Sequence, residues 1–350
     1  MKGFFSKKNH ESKKEALKSL QIECTTVIRE PPSRSVRQLP SEPLNSQKLD
    51  CYSQVVAHFE SPDLLILTKS EKSGRGDTSL EPNKQPLSLK EKQWLTKDRI
   101  LRYLRSTQWD PKRAIKRVES TIVWRREFGL FEDDSGTSST LLKKAMAENE
   151  TGKMYLLGYD RHRRPLLHIK PGRQNTSSSF AQIQHLMYMI ECAEALMPPG
   201  VESLTLLIDF RNYNGLAPPL ARMPPVSISK QVLHIVQEHY PEYLGRAILC
   251  NIPWYCWNFL KIFHPFLDPA TRPKLVYEEY FDNYIEQSQL EVMHNGNLDF
   301  FYDNKPYLED LANCVTERRS HMFQNFVNLG SRVGLDEHIL KSYESKVDKC

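Results

Sequence analysis

Ten basic residues crowd the stretch from Lys97 to Arg126 (Lys97, Arg99, Arg102, Arg105, Lys112, Arg113, Lys116, Arg117, Arg125, Arg126), against three acidic ones, a local balance of +7 in a chain of formal net charge +5. Residues 1–20 add six lysines against two glutamates, beside Phe4 and Phe5. Such runs suit phosphate groups or an anionic membrane surface, or they are solvated helix faces. No zinc spacing or RNA-recognition signature accompanies them, so nucleic acid is not an expected partner. Catalytic signatures are missing as well: there is no GxGxxG, P-loop, GxSxG or HExxH. His234 and His239 stand five apart without a companion ligand and read as core or surface histidines. Glu191 and Glu194 read as the polar face of a helix. The seven cysteines form no CxxC, and neither Cys24 nor Cys314 has the spacing to arginine of a cysteine phosphatase. They read as reduced thiols. With no activated nucleophile, no enzyme activity, cofactor or metal is expected.

The elements that carry these residues can be read from composition and period. At 350 residues, 39% hydrophobic and 26% charged, the chain is long enough for two globular domains. No run approaches the ~18 apolar residues of a spanning helix, and the first residues lack the apolar core of a secretory signal. Residues 1–85 read as a basic, mostly irregular extension, because REPPSRSVRQLPSEP and EKSGRGDTSLEPNKQP are rich in proline, serine and charge. One short packed segment is expected there, from Tyr52–Phe59 and Leu64–Leu67. A helical module over 86–135 follows. Its second helix is capped by Asp110, carries Pro111 at the first helical position and ends at Gly129.

Over 140–305 the period changes. Met154–Tyr159 and Leu166–Ile169 predict a hairpin. Helices over Phe180–Leu196 and around Val232–Val236 alternate with buried strands Ser203–Asp209 and Ala247–Asn251, the pattern of parallel βαβ units. Between Pro253 and Pro265 lies a helix apolar almost all round, with Trp254, Trp257, Phe259, Leu260, Phe263 and Phe266. Such a helix is buried twice over, lines a cavity or meets a membrane. A strand at Lys274–Tyr277 and a C-terminal helix and tail over 306–350 complete the reading. The fold class is α/β: a small helical module, then a mixed, largely parallel sheet with flanking helices.

Several motifs in order resemble the CRAL-TRIO lipid-binding family: YPEYLG at Tyr240–Gly245, the aromatic helix, and HPFLDPATRPK at His264–Lys274. Leu101–Arg105, Trp109 and Trp124–Phe128 resemble its helical N-terminal module. WRREFG at Trp124–Gly129 and KPGRQN at Lys170–Asn175 are most similar to fungal phosphatidylinositol-transfer proteins of the pleiotropic-drug-resistance subgroup. The resemblance implies a hydrophobic lipid cavity, with Trp254, Trp257, Phe259, Leu260, Phe263 and Phe266 as gate and lining. It implies a headgroup site at Glu242, Thr271 and Lys274: a cation for phosphate, a hydroxyl donor, and a carboxylate for inositol hydroxyls. The alternative is that Glu242 and Lys274 form an ordinary ion pair at the rim. Thr107 and Gln108 take the family's Arg-Lys headgroup position, and Tyr243 replaces its arginine. These departures remove cationic contacts.

The function so implied is phosphatidylinositol binding and exchange at membranes, in support of phospholipid homeostasis, with sterol as further expected cargo. Phosphatidylinositol is the expected bound ligand and an anionic membrane surface the expected partner. The expected location is cytoplasmic, peripherally attached to internal membranes. The alternative is a lipid-fold scaffold whose N-terminal tail and 211–226 loop recruit a lipid-metabolising enzyme.

Overall fold

The structure, a computed structural model, describes residues 21–32, 43–69, 83–131, 140–213, 223–267 and 269–342. The lysine-rich residues 1–20, most of the 211–226 loop, and the side chains of Phe259, Phe263 and Phe266 lie outside that set.

Strand β1 (Ile22–Cys24) comes first, followed by helix α1 (Ser46–Glu60), whose Asn45 side chain caps the N–H of Lys48. Short strands β2 (Ile66–Leu67) and β3 (Lys84–Gln85) pair antiparallel. Then come α2 (Leu89–Trp94), α3 (Lys97–Ser106) and α4 (Pro111–Phe128). The termini of α4 form as the sequence dictates: Asp110 accepts from the N–H of Arg113, and Gly129 closes the helix at φ 79°. That left-handed conformation carries no Cβ penalty at glycine.

Val55 and Phe59 of α1 share one core with Ile100, Leu104, Val118 and Ile122. The helical module therefore starts well before residue 86: the packed segment expected at Tyr52–Phe59 is the second half of α1, which begins at Ser46 where irregular chain was expected. Only Val55 and Phe59 of this fifteen-residue helix are buried, which left too faint an apolar stripe between proline-rich flanks.

The second body is built on a five-stranded sheet in the order β4 (Met154–Tyr159), β5 (Pro165–Ile169), β6 (Leu204–Asp209), β7 (Leu244–Cys250) and β8 (Leu275–Tyr277). The first pair is antiparallel, and the other three pairings are parallel. The flanking helices are α5 (Thr140–Glu148), α6 (Phe180–Leu196), α7 (Val226–His239) and α8 (Trp254–Phe263). β9 (Leu298–Phe300) runs parallel to β1 and binds the N-terminal segment to this body. α9 (Asn304–Asn328) folds back on α6, and α10 (Glu337–Lys341) returns to the helical module.

The basic cluster is only partly a solvated face. Arg99, Arg102 and Arg125 are buried at the junction of the two bodies. Arg125 grips Glu191 with two hydrogen bonds, 2.8 and 2.9 Å, Arg99 pairs with Glu194, and Arg102 faces Glu337 at 3.6 Å. Glu191 is thus a buried partner rather than polar surface. Burial alone would raise its pKa; the charge and hydrogen bonds of Arg125 outweigh that and hold it at about 2. His239 stacks on Trp124 with ring centroids 4.3 Å apart, and burial pushes its pKa down to about 3.

Candidate functional site: an apolar floor beneath an aromatic helix

In a parallel sheet, residues paired in register share a face. The register aligns Leu167, Leu206, Ala247 and Leu275 in one row and Ile169, Ile208, Leu249 and Tyr277 in the next. β6 is the central strand, so its residues should be buried on both faces. Thr205, Leu207 and Asp209 are buried, but Leu206 and Ile208 remain half-exposed, as do Ile169, Leu275 and Tyr277 in the same rows. Leu206 and Ile169 touch the main core beside them, yet among the described residues this part of the floor is less fully covered than Leu167, Ala247 and Leu249 of the same rows. The other face is closed: Leu166, Leu207 and Ile248 pack solidly against Ile285 and Leu290.

The aromatic helix α8 lies on the open side. Trp257 meets Tyr277 of the floor at a ring-centroid distance of 5.4 Å, and Cys256 is buried against Met223. Leu260 is half-buried. The outer side keeps Trp254 79% and Ile262 53% exposed, so the helix is not a core helix packed on all sides. It spans the open floor with one side and offers apolar surface to the outside with another. At its base, Asn251 and Glu278 both adopt left-handed backbone, φ 53° and 54°. The Glu278 carboxylate accepts the N–H groups of Asn251 and Ile252 at 3.1 and 2.6 Å. That clamp fixes where the helix leaves the sheet, and no motif in the sequence announced it.

The expected headgroup residues collect at the end of the sheet where the parallel strands begin. Glu242 lies two residues before β7, with φ 63°. Lys274 directly precedes β8, where the register sets it level with Arg246, and Thr271 opens the single turn Arg272–Lys274. Arg105, at the end of α3, reaches across to this end of the sheet. Its Nε meets Glu242 at 2.5 Å, and a terminal nitrogen meets Glu202 at 2.7 Å. Glu242 therefore pairs with Arg105, a residue the sequence places in the basic cluster and in the motif of the helical module but not at the headgroup site. Thr107 does not serve as a headgroup donor, because it is buried and its hydroxyl donates to the Tyr103 carbonyl at 2.9 Å to end α3. Gln108 is exposed beside it at φ 56°, close in the chain to Arg105. Tyr243, which stands where the family pattern has arginine, is buried. Its ring lies 4.4 Å beneath the Arg102 guanidinium, and its hydroxyl donates to Glu194. A cation from the helical module thus occupies the neighbourhood of the missing arginine.

A separate cleft of about 730 Å³ opens between the helical module and α9, lined by Trp94, Arg99, Arg125, Glu191, Arg319 and Phe323 among others. No floor residue lines it, and its charged walls do not suit acyl chains.

Residues 149–296 match the CRAL/TRIO domain, and residues 51–120 match the CRAL/TRIO N-terminal domain. The second match takes in part of α1, in agreement with the shared core. A Saccharomyces cerevisiae protein named phosphatidylinositol transfer protein PDR17 is 39% identical over 99% of this chain and 97% of its own length. A CRAL-TRIO domain-containing protein of Schizosaccharomyces pombe is 39% identical over 87% of this chain, which spans 28% of that longer protein. Patellin-3 of Arabidopsis thaliana is 26% identical over 62% of this chain and 46% of its own length.

Proposed function

Because the chain belongs to the CRAL/TRIO family, we propose that it binds phosphatidylinositol and carries it between membranes. The observation that supports this most directly is the half-exposed apolar floor on a central strand, roofed by a helix that is itself apolar on its outer side. An acyl chain of some seventeen methylenes is worth on the order of 14 kcal/mol against water, at ~0.8 kcal/mol each. Against a bilayer the difference is near zero. Lipid must therefore enter and leave at a membrane surface, and a helix carrying Trp254 and Ile262 outward suits that contact.

In this reading the tails lie over Leu206 and Ile208 and the headgroup sits near Glu242, Thr271 and Lys274. Lys274 answers the phosphate, Thr271 donates a hydroxyl, and Glu242, already oriented by Arg105, accepts from inositol hydroxyls. The role is carriage rather than catalysis, at the cytoplasmic surface of internal membranes. No helix among the described residues is long and apolar enough to cross one. A sterol in the same floor and recruitment of a lipid-metabolising enzyme extend the proposal. Recruitment would rest on the tail and on the 211–226 loop.

The test mixes the full chain with vesicles of labelled phosphatidylinositol and unlabelled acceptors. The wild type should accelerate transfer, and Lys274→Ala combined with Glu242→Ala should lower the rate at least about tenfold, as expected for losing charged hydrogen bonds. No acceleration by the wild type would refute the proposal.

A further inference from the structure

The closed face of the sheet holds a cluster that lipid carriage does not use. His168 on β5, and Glu291 and His294 in the turn before β9, converge beneath the sheet with their side chains almost wholly removed from solvent. The Nδ1 atoms of His168 and His294 stand 3.3 and 3.4 Å from the same carboxylate oxygen, Glu291 Oε2. Neither Nδ1 completes a hydrogen bond.

The opposite ring nitrogens determine what those atoms carry. His168 Nε2 lies 3.1 Å from the Leu157 carbonyl, and His294 Nε2 lies 3.0 Å from Asp209 Oδ2. A carbonyl and a carboxylate only accept, so both Nε2 atoms hold protons. With a proton on Nε2, each ring turns its Nδ1 toward the same carboxylate oxygen without completing a hydrogen bond there.

We propose that His168 Nδ1, His294 Nδ1 and Glu291 Oε2 form a binding site for a divalent transition metal of the zinc class. Imidazole nitrogen and carboxylate oxygen are the donors such ions select. Bonds of ~2.0–2.1 Å in a tetrahedron set neighbouring ligand atoms roughly 3.3 Å apart, the spacing each Nδ1 has to Oε2. The outer contacts have the form typical of metal-bound histidines, one N–H held by a main-chain carbonyl and the other by a carboxylate. The Tyr155 hydroxyl donates to Oε2 at 2.7 Å and the Lys170 ammonium spans both carboxylate oxygens at 3.0 and 3.1 Å, which fixes the carboxylate in place. The neighbouring trio of Asp209, Cys250 and His294 is a poorer set. Asp209 already accepts from Arg211, Asn251 and His294, and the Cys250 thiol faces the Ile208 carbonyl. Because Asp209 also holds Asn251 at the base of α8, an ion here would stiffen the frame from which the aromatic helix departs.

The full chain, stripped with a chelator, should take up one equivalent of Zn²⁺ by mass spectrometry of the metal. With Co²⁺ it should show the visible absorption of a tetrahedral site. Its melting temperature should rise with Zn²⁺. His168→Gln and Glu291→Gln should weaken binding at least about tenfold and abolish the rise, while His234→Ala on the exposed side of α7 should change neither. A wild type that takes up no metal overturns the site, leaving a network closed by protons alone. So does a folded His168→Gln protein, checked by circular dichroism, that binds as the wild type does. The wild-type stoichiometry decides the matter even should a variant fail to fold.

Discussion

The two faces of the five-stranded sheet meet opposite requirements. On one, Leu166, Leu207 and Ile248 are sealed under the turns that run to His294, and even the polar groups are buried. On the other, Leu206 and Ile208 of the same central strand stay half-exposed beneath α8. The second side is buried only in part: Leu167, Ala247 and Leu249 of the same rows are covered, and the half-exposed remainder suits an apolar guest. The junction between the bodies belongs with the sealed side: its arginines are deeply buried, and each has a carboxylate facing it.

The largest effect should come from breaking the sealed part. Glu191→Ala leaves the Arg125 guanidinium buried without its carboxylate, and should cost about 3–5 kcal/mol of unfolding free energy in urea. The same pair sets an acid limit. The Glu191 pKa is about 2 in the fold against ~4.3 for a free glutamate, so its contribution is complete above that higher value. It fades as pH falls toward 2, a loss on the order of 3 kcal/mol. Acid titrations of the wild type and Glu191→Gln should therefore converge at low pH. Parallel curves down to pH 2 would show that the pair does not stabilise the junction.

Leu206 and Leu207 sharpen the contrast between adjacent residues. Leu207→Ala opens a void in a packed core and should cost about 2–5 kcal/mol. Leu206→Ala removes a side chain that water already reaches, and should cost under about 1.5 kcal/mol. Equal losses in denaturant melts would mean that the floor is not open. Leu206→Trp, by contrast, should leave stability near the wild type and block uptake of labelled phosphatidylinositol.

How far the sequence reaches follows the same division. The hairpin, the βαβ alternation and the caps of α4 were legible because each depends on local periodicity or on one turn residue, as with Asp110, Pro111 and Gly129. α1 was legible only as a short packed segment at Tyr52–Phe59, because two buried residues in fifteen make no clear helical stripe. The basic cluster misled for a different reason. Charge counted along a helix does not reveal that Arg99, Arg102 and Arg125 turn inward to meet carboxylates, two of them, Glu191 and Glu194, on α6. Arg105 and Glu278 went unnoticed as site-forming residues because their partners, Glu242 and the N–H groups of Asn251 and Ile252, are set by tertiary contact. The family motifs point to Glu242, Thr271 and Lys274 as the expected headgroup residues, but they could not show that Thr107 spends its hydroxyl on the end of α3.

The smallest effect on stability should come from the outer side of α8, where Trp254 touches little protein. Trp254→Ala should change unfolding free energy by no more than about 0.5 kcal/mol, as is usual for an exposed site. Its effect should appear only where a bilayer is present. An indole at a membrane interface sinks its ring among the headgroups, and removing it should lower the fraction of protein that sediments with phosphatidylinositol-containing vesicles by several-fold. A variant that binds vesicles as well as the wild type would mean that this side of the helix does not face the membrane. A variant that instead loses several kcal/mol would mean that Trp254 is packed, and the open side would then close at its most exposed point.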